Sequence, residues 1–505
     1  MASRFYLTTA IDYSNGDPHL GHALEKVGAD CIARYRRLRG DDVHYLMGMD
    51  EHSQSVLQAA AKAGVSPQAW VDRMSDVFLG YWKRLGCSND EWIRTTEPRH
   101  ARSVTALLQR IQQRNPGDLF TAEYEGLYCI GCEEFKTDAQ IVNGRCIEHP
   151  TLELVPTKEP NHYFRLSAYR DRLLASIEAG SLRVEPAIRR NEILSLLRSG
   201  LQDVSISRVR LPWGIPFPGD PDQTVYVWFD ALINYLTATG FPDDGYQNRW
   251  PADLHIIGKG ITRFHCVIWP AMLIAAELPL PRAIWAHGYV QWEGAKMSKT
   301  AGTTVTVDSA IARHGPDALR YFLLREIGFE NDGNFTWERL DIRYTDELAN
   351  GYGNLASRVL AMIERYLGGI VPDGGVTPLD EEGDSRIGAY REAMDHHQLH
   401  LGAQEMWGLV SRANQFVEET APWNLAKAKD AAGLNRALGA LARALARITL
   451  LIQPFIPTKA QEVWAGMGLP GTAASARWDL LQTPPVAGLR VQKLPPLFPK
   501  PVVDV

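Results

Sequence analysis

The spacing of hydrophobic and polar positions changes along the 505-residue chain, and these changes outline its elements. An apolar run at 4–7 leads into a polar turn, after which Ala23, Val27 and Cys31 recur at helical spacing. A second apolar run at 43–49 predicts a buried parallel strand. Amphipathic helices are predicted at 54–63, 67–85 and 100–114. Because strands and helices alternate, this region is predicted to form a doubly wound α/β sheet.

The pattern changes near Gly117, where strand-like and turn-rich sequence begins and continues from 120 to 211. This stretch predicts an insertion between two halves of the sheet. The α/β pattern then resumes, with predicted strands at 224–230, 254–257 and 284–290 and predicted helices at 231–236 and 264–276. Trp228 and Tyr235, seven residues apart, are expected to share one helix face.

From Asp317 onward the sequence is almost entirely helical. Two stripes of apolar residues at intervals of three and four predict helices packed in a bundle. The stripes are Leu399, Ala403, Met406, Val410, Ala413 and Val417, and Leu434, Leu438, Leu441, Leu445, Ile448 and Ile452. A polar stretch at 373–384 is predicted to link two helices, and the Pro-rich residues after Gly468 are predicted to lie extended along the surface.

The fold class predicted from these patterns is α/β: a Rossmann-like doubly wound parallel sheet, an inserted connective domain and a C-terminal all-α bundle. The predicted divisions are 1–116 and 216–325 for the two halves of the sheet domain, 117–215 for the insertion, 326–350 for a linker, 351–468 for the bundle and 469–505 for a C-terminal extended segment.

Composition narrows the class of protein. A net charge of −6 excludes a uniformly basic nucleic-acid binder, so any RNA contact must come from local patches. We expect no secretory signal, because no N-terminal stretch joins a basic flank to an apolar block. We also expect no membrane span, because the longest apolar run, 266–276, is too short to cross a bilayer. Six cysteines in a chain of this length favour a reduced, cytoplasmic setting.

The turn after the first strand carries the first candidate chemistry, His19-Leu-Gly-His22, with Gly16 and Pro18 as helix breakers before it. The unpaired N–H groups of a helix start favour an anion. Two imidazoles three residues apart share one face and can donate hydrogen bonds to phosphate oxygens, and Gly21 allows a ligand to approach the backbone. A plain surface turn or a metal site would also fit these residues.

Two further polar segments follow predicted strands. Asp50 comes directly after the strand at 43–49, at the end where open α/β sheets bind ligands. After the strand at 284–290, a glycine-bracketed segment, here called the lysine loop (294–302), carries Lys296 and Lys299. Lysines in a small, flexible loop suit closure over phosphates, although an ordinary exposed loop has the same composition.

Within the predicted insertion, Cys129 and Cys132 are followed after thirteen residues by Cys146 and His149. This C-x2-C and C-x2-H spacing predicts a tetrahedral zinc site. Because all four positions are filled by protein, the metal is predicted to be structural. The other cysteines lie in apolar contexts and are predicted to be core residues: Cys31, Cys87 and Cys266.

Over essentially its whole length, the chain resembles the class I methionyl-tRNA synthetases. The two class signatures are His19-Leu-Gly-His22 and Lys296-Met-Ser-Lys-Thr300. Other segments typical of the family are Ala10-Ile-Asp-Tyr13-Ser-Asn-Gly, Asp50-Glu-His, Val227-Trp228-Phe-Asp-Ala231, Phe264-His265, Asn354-Leu-Ala-Ser-Arg358 and Ala421-Pro-Trp423. The resemblance implies ATP-dependent activation of methionine to methionyl-adenylate, followed by transfer to the 3′ adenosine of tRNA(Met).

The resemblance also implies roles for individual residues. Those implied in catalysis are His19, His22, Lys296 and Lys299, and those implied in ATP binding are His19, Gly21, His22, Gly258 and Lys299. The implied methionine pocket has Asp50 for the α-ammonium group, with Ala10, Ile11, Tyr13, Trp228, Ala231, Tyr235, Phe264 and His265 around the side chain. The implied anticodon contacts are Asn354, Arg358 and Trp423. Further expectations are a structural zinc, magnesium with the ATP, both initiator and elongator tRNA(Met), and a monomer.

Three positions depart from the family pattern. Gly260 replaces a usual acidic residue, which affects the expected ATP ribose contacts or the loop geometry. Ser53 replaces a usual glycine, and Asp12 is more charged than usual. Three alternatives stay open at this point: a class I synthetase for another amino acid, a synthetase-like RNA-binding protein without activity, and a plain nucleotidyltransferase.

Overall fold

A computed structural model describes residues 3–130, 134–136, 140–147, 150–209, 211–292, 294–296 and 305–499. Its strands are β1 (Arg4–Thr9), β2 (Asp12–Tyr13), β3 (Asp42–Asp50), β4 (Glu91–Arg94), β5 (Leu119–Cys129), β6 (Glu134–Lys136), β7 (Ile141–Val142), β8 (Arg145–Cys146), β9 (Val155–Phe164), β10 (Arg183–Glu185), β11 (Val204–Ser205), β12 (Ser207–Val209), β13 (Pro216–Phe217), β14 (Asp220–Val225), β15 (Leu254–Gly258), β16 (Ala283–His287), β17 (Val290–Trp292), β18 (Ala295–Lys296) and β19 (Gly333–Phe335).

The helices are α1 (Leu20–Leu38), α2 (Gln54–Ala63), α3 (Pro67–Arg84), α4 (Pro98–Arg114), α5 (Arg170–Glu178), α6 (Ala187–Ser199), α7 (Val227–Ala231), α8 (Asn234–Thr237), α9 (Trp269–Ala275), α10 (Val307–His314), α11 (Pro316–Glu326), α12 (Trp337–Ile342), α13 (Asn354–Leu367), α14 (Pro378–Asp395), α15 (Leu399–Thr420), α16 (Pro422–Lys427), α17 (Ala431–Ile452) and α18 (Pro457–Gly466). Two π-helical segments, Phe264–Ile268 and Arg343–Gly353, lead into α9 and α13. Among the described residues, no helix is both long and apolar enough to span a membrane.

The main sheet is parallel throughout, in the order β10, β16, β15, β1, β3 and β4, with β2 continuing the pairing of β1 along the end of β3. Strand β1 is central, and Thr8 faces His255 on one side and Leu46 on the other. The predicted Rossmann-like sheet is therefore confirmed. Its crevice lies where β1, β15 and β3 end.

The predicted insertion at 117–215 is wrong for the segment around β10, at 170–199. Strand β10 lies within this stretch, yet it pairs with β16 at the edge of the main sheet. The strand-like pattern predicted up to 211 is also wrong at α5 and α6, which are helical and flank β10. The antiparallel sheet of the insertion is formed by β11, β9, β5 and β6. Short apolar runs do not distinguish a buried helix from a strand, and this ambiguity explains the error.

The same ambiguity affects the predicted strand at 224–230. Strand β14 ends at Val225, and α7 begins at Val227. Trp228 and Phe229 are buried on this short helix, so the continuous apolar run belongs to a helix. Because α7 and α8 are separate helices, Trp228 and Tyr235 do not share the face of one continuous helix.

The C-terminal part of the chain is the predicted helical bundle. Every residue of the two apolar stripes, on α15 and α17, is buried. The predicted linker at 373–384 is wrong after Thr377, because Thr377 and Asp380 form a capping box that starts α14.

The prediction that residues after Gly468 lie extended along the surface is also wrong in part. Two short 3₁₀ turns interrupt this segment, at Ala473–Ser475 and Trp478–Leu481. The side chains of Leu469 and Leu481 are buried, and the ring of Trp478 packs edge-on against Tyr35 of α1 at 5.9 Å. Apolar residues between the prolines therefore pack onto the core.

Candidate active site

A cavity of about 220 Å³ opens where β1, β3, β15 and β16 end. Residues predicted for different roles line it together: Ala10, Ile11, Tyr13, His19, Gly21, His22, Asp50, Trp228, Ala231, Tyr235, Gly258 and His265. Phe264, predicted for the pocket wall, lies one layer back and stacks on Trp228, with ring centroids 3.8 Å apart. The predicted phosphate-binding and methionine-binding residues thus meet in one cavity.

The two histidines at the start of α1 are fixed by the backbone. The Nδ1 atom of His19 accepts a hydrogen bond from the N–H of Gly21 at 3.0 Å, and Nδ1 of His22 accepts one from the N–H of His19 at 3.2 Å. The two rings stack 3.8 Å apart. Because both Nδ1 atoms accept, the neutral rings carry their proton on Nε2, which is a donor.

Gly21 is needed for this arrangement. A Cβ atom at position 21 would lie 2.8 Å from Cε1 of His19, which is closer than side chains approach one another. Any other residue would therefore displace the His19 ring.

The chain returns to these histidines directly after the lysine loop. The backbone of His19 forms an isolated antiparallel bridge with Thr306, whose side chain caps the N-terminus of α10. Lys296 ends β18, which pairs with β17. Lys299 and the side chain of Lys296 lie outside the described residues. The described segments before and after the loop both lie near the α1 histidines, since Tyr289 lines the same cavity as His19 and Thr306 pairs with His19.

Aromatic rings form one side of the cavity. The ring of Tyr13 meets Trp228 edge-on at 5.9 Å. The hydroxyl of Tyr235 lies 2.7 Å from Nε2 of His265, whose Nδ1 lies 3.1 Å from the carbonyl oxygen of Ile261. A carbonyl only accepts, so Nδ1 of His265 donates to it and Nε2 accepts from Tyr235. Burial lowers the pKa of His265 to about 4, so the ring is neutral at pH 7.

Acidic groups line the cavity together with these rings. Asp50 is only 2% exposed at the end of β3, and its backbone carbonyl accepts hydrogen bonds from the N–H and hydroxyl of Ser14. Asp12 and Glu25 line the same cavity. The wall of this cavity therefore carries three carboxyl groups.

A buried lysine behind this wall was not predicted. The ammonium group of Lys26 lies 2.9 Å from Asp12 and 2.8 Å from Glu25, and it donates to the carbonyl oxygen of Ala10 at 2.7 Å. Glu25 also lies 3.1 Å from Nε2 of His287. Burial raises the pKa of Asp12 to about 6 although Lys26 opposes the shift. The unusual charge at position 12 was the one sequence signal for this network.

A second buried group, also missed, holds α7 in place. Asp230 is completely buried and contacts Nδ1 of His52 at 2.7 Å and Nε2 of His100 at 2.6 Å. This arrangement connects α7, which carries Trp228, to the loop after β3 and to α4. Asp230 therefore positions α7, and with it Trp228 in the cavity wall.

The departure at Ser53 has a local explanation. The Ser53 hydroxyl accepts a hydrogen bond from the N–H of Val56 at 3.1 Å and so caps α2. Serine is among the preferred residues at a helix N-cap.

Two of the four predicted zinc ligands are described. Cys129 ends β5 and Cys146 ends β8, and both are buried. Cys132 and His149 lie outside the described residues. Among the residues that are described, no cluster of three or more potential ligands is present.

The predicted anticodon residues lie on two neighbouring helices of the bundle. Asn354 and Arg358 are one turn apart on α13, and Trp423 is at the start of α16 with 38% of its surface exposed. The guanidinium of Arg358 lies 5.9 Å from the centroid of the Trp423 ring and 2.6 Å from Glu418. This arrangement presents an aromatic ring with an adjacent cation at the surface.

Comparison with known proteins matches both parts of the chain. Residues 5–153 and 151–360 match the family described as "tRNA synthetases class I (M)", and residues 371–490 match "Anticodon binding domain of methionyl tRNA ligase". A "Methionine--tRNA ligase" of Caldanaerobacter subterraneus is 40% identical over 519 residues, which cover 100% of this chain and 80% of that protein. A "Methionine--tRNA ligase" of Bacillus subtilis is also 40% identical, covering 98% of this chain and 78% of that protein.

A solved structure is similar over the same extent. It is described as "Mycobacterium tuberculosis methionyl-tRNA synthetase in complex with methionyl-adenylate". Its TM-score is 0.94 at 38% sequence identity, and the match covers 98% of this chain and 100% of that one.

Proposed function

Because the chain belongs to the class I methionyl-tRNA synthetases, which use ATP to join methionine to tRNA(Met), we propose that methionine is activated in the cavity described above. A carboxylate oxygen of methionine attacks the α-phosphorus of ATP, and the bond to pyrophosphate breaks. A ribose hydroxyl of the terminal adenosine of tRNA then attacks the methionyl carbonyl carbon, and AMP leaves. Without a covalent enzyme intermediate, catalysis depends on positioning and electrostatic stabilisation.

One observation carries this proposal: the same cavity is lined by the α1 histidines and by Asp50 with the aromatic residues. An amino acid bound at Asp50 and a nucleotide bound at His19 and His22 would be close enough to react. A plain nucleotidyltransferase explains the composition of this cavity less well. Such an enzyme has no need of the aromatic wall or of a bundle matched to anticodon binding.

We assign the methionine side of the cavity as follows. Asp50 accepts hydrogen bonds from the α-ammonium group, and the thioether lies against the rings of Tyr13 and Trp228, where sulfur–aromatic contacts are favourable. The neutral Tyr235–His265 pair adds polarity without charge. Ala10, Ile11 and Ala231 complete the wall, with Phe264 supporting Trp228.

On the nucleotide side, the Nε2–H groups of His19 and His22 are aimed to donate to phosphate oxygens as negative charge develops. Gly21 and Gly258 leave room for the nucleotide to approach the backbone. Lys296 and Lys299 would close over the β- and γ-phosphates, a role supported by the bridge between His19 and Thr306. Magnesium bound with the ATP would neutralise part of the phosphate charge.

The proposed zinc site is structural and uses Cys129, Cys132, Cys146 and His149. The ligand spacing and the burial of the two described thiols support it. We further propose that Asn354, Arg358 and Trp423 contact the CAU anticodon of initiator and elongator tRNA(Met), with an unstacked base lying on the exposed indole. A monomer in the cytoplasm stays a prediction.

Amino-acid-dependent ATP–pyrophosphate exchange tests the activity. We expect exchange with methionine. Homocysteine, which lacks one methyl group, should react with kcat/KM about 10- to 200-fold lower, because a hydrophobic pocket discriminates one such group by ~1–3 kcal/mol. Exchange with cysteine or valine at higher kcat/KM would assign the enzyme to another amino acid. No exchange with any of them would favour the synthetase-like protein without activity.

A further inference from the structure

The space beside Gly260 is restricted by Tyr289, and not by the backbone conformation of Gly260 itself. Its φ is not in the left-handed region, so the main chain accepts any residue there. A Cβ at position 260 would, however, lie 2.2 Å from the Tyr289 hydroxyl oxygen and 3.5 Å from Cζ of the same ring. The first distance is a clash and the second is an ordinary contact. The hydroxyl alone therefore occupies the space that a side chain at 260 would need.

Tyr289, which is 38% exposed, is anchored mainly through its backbone, and its ring has a cation beside it. The Tyr289 N–H donates to Asp332 at 2.8 Å, and its carbonyl accepts from the N–H of Gly333 at 3.0 Å. The ammonium group of Lys259 lies 4.7 Å from the ring centroid and 2.7 Å from Asp332. Asp332 therefore holds the backbone of Tyr289, and Lys259, in the turn after β15, lies against the ring.

Gly260 and Tyr289 line the same cavity as the α1 histidines, on the side of Gly258. We propose that Tyr289 is a nucleotide-contacting residue in this chain, and that its hydroxyl hydrogen-bonds a ribose hydroxyl of ATP where the family's acidic residue at 260 would do so. This inference rests on the proposed binding of ATP in the cavity.

A tyrosine hydroxyl can replace a carboxylate as the hydrogen-bonding partner of a ribose hydroxyl. A carboxylate at 260 would accept hydrogen bonds from ribose hydroxyls. A phenol can accept one hydrogen bond and donate another, and it is neutral at pH 7. Tyr289 can therefore keep a ribose contact without adding a further negative charge to a cavity that already holds Asp12, Glu25 and Asp50.

Tyr289→Phe, which removes only the hydroxyl, gives the first test. In methionine-dependent ATP–pyrophosphate exchange we expect KM for ATP to rise about three- to tenfold, the effect of one lost hydrogen bond, with KM for methionine unchanged. The same reaction is measured with 2′-deoxy-ATP and 3′-deoxy-ATP. The variant should discriminate less than the original enzyme between ATP and the analogue that lacks the contacted hydroxyl. Tyr366→Phe, on α13 outside the cavity, is the matched control.

A second test introduces Gly260→Asp into the original protein and into the Tyr289→Phe variant. Alone, the Cβ of the new side chain meets the phenol oxygen and displaces it, and we expect KM for ATP to rise about three- to tenfold, as when the hydroxyl contact is lost. In Gly260→Asp with Tyr289→Phe, the Cβ fits at 3.5 Å from the ring and a carboxylate again faces the nucleotide. KM for ATP should then return to within about threefold of the original value, a strong coupling between neighbouring positions.

The possible failures are distinguishable. If Tyr289→Phe leaves both KM for ATP and the discrimination unchanged, the hydroxyl makes no contact and the inference is wrong. If it weakens ATP and both analogues equally, Tyr289 is a space-filling residue, and the inference is also wrong. Absence of exchange by the unmodified enzyme would instead reject the proposed function itself.

Discussion

Asp12 and Asp50 are both buried carboxyl groups in the wall of one cavity, but their surroundings differ. Asp12 lies 2.9 Å from the fully buried ammonium group of Lys26. Asp50 lies at the end of β3, with its backbone held by Ser14. Because Lys26 already compensates the charge of Asp12, we assign the substrate ammonium group to Asp50. At this scale the structure shows that Asp12 belongs to an internal ion pair, and the binding role of Asp50 stays a prediction.

Asp50→Asn tests that assignment. The amide fits the same space but removes the charge, and hydrogen bonds to charged groups are worth about 1.5–3 kcal/mol. We expect KM for methionine to rise about 10- to 150-fold, with KM for ATP changed little, in pyrophosphate exchange. Asp243→Asn, which alters a fully solvent-exposed pair with Arg102, is the control. An unchanged KM for methionine would show that another group binds the ammonium.

At the scale of single elements, the hairpin of β7 and β8 has little stabilisation of its own. Strands β7 and β8 contain two residues each and are joined by Asn143 and Gly144, both with positive φ, the geometry of a tight two-residue hairpin. Val142 and Ile147 on this hairpin are more than half exposed. A two-stranded hairpin of this size is not stable alone in water. The proposed zinc would supply the missing stabilisation, since metal binding and folding are coupled in such sites.

The zinc prediction is tested by elemental analysis of the purified protein. We expect about one zinc per chain. Cys146→Ala should lose most of it and should be cleaved faster by trypsin after Arg145, because the hairpin would open. Cys87→Ala, which changes a half-buried thiol elsewhere, should keep its metal. A Cys146→Ala protein with full zinc content and unchanged proteolysis would contradict the proposed ligand set.

For the molecule as a whole, Arg320 connects the sheet domain to the bundle. This completely buried side chain on α11 contacts Asp30 of α1 at 2.7 Å. It also donates to the carbonyl oxygens of Leu85, Pro454 and Phe455, which follow α3 and α17. One guanidinium group therefore satisfies carbonyl groups from both domains and a carboxylate of the sheet domain. The core that surrounds it is continuous from the sheet to the bundle.

Arg320→Met keeps most of the side-chain volume but leaves Asp30 and the three carbonyl groups without this partner. We expect the free energy of unfolding at pH 7 to fall by about 3–5 kcal/mol, the usual cost of breaking a buried ion pair. Urea denaturation followed by tryptophan fluorescence measures it. Arg102→Met, at a solvent-exposed pair, should leave the free energy of unfolding nearly unchanged.

The same pair predicts a pH dependence. Burial alone would raise the pKa of Asp30, but Arg34 and Arg320 lower it from 3.8 to about 2. Because the pKa is lower in the folded state, this carboxylate stabilises the protein above pH 4, by about 2 kcal/mol, and the contribution is lost as the pH falls towards 2. The stability difference between Arg320→Met and the original protein should therefore shrink between pH 5 and 2. A constant difference would contradict this account.

The amino-acid sequence by itself determined the features that depend on neighbouring residues. The bounds of α2, the buried stripes on α15 and α17 and the position of His19 and His22 follow from periodicity, capping residues and turn residues. These signals are local, because a helix face or a cap is set by residues three or four positions apart. The family segments added the expected roles of the residues that now line one cavity.

Only the tertiary structure decided which distant segments meet. Strand β10 joins the main sheet from within the predicted insertion, Asp230 pairs with histidines of two other elements, and Tyr289 takes the space beside Gly260. Each of these depends on contacts between segments at least about 30 residues apart in the chain. Burial then turns such a contact into a requirement, because a buried charge needs a partner and a filled space excludes a side chain.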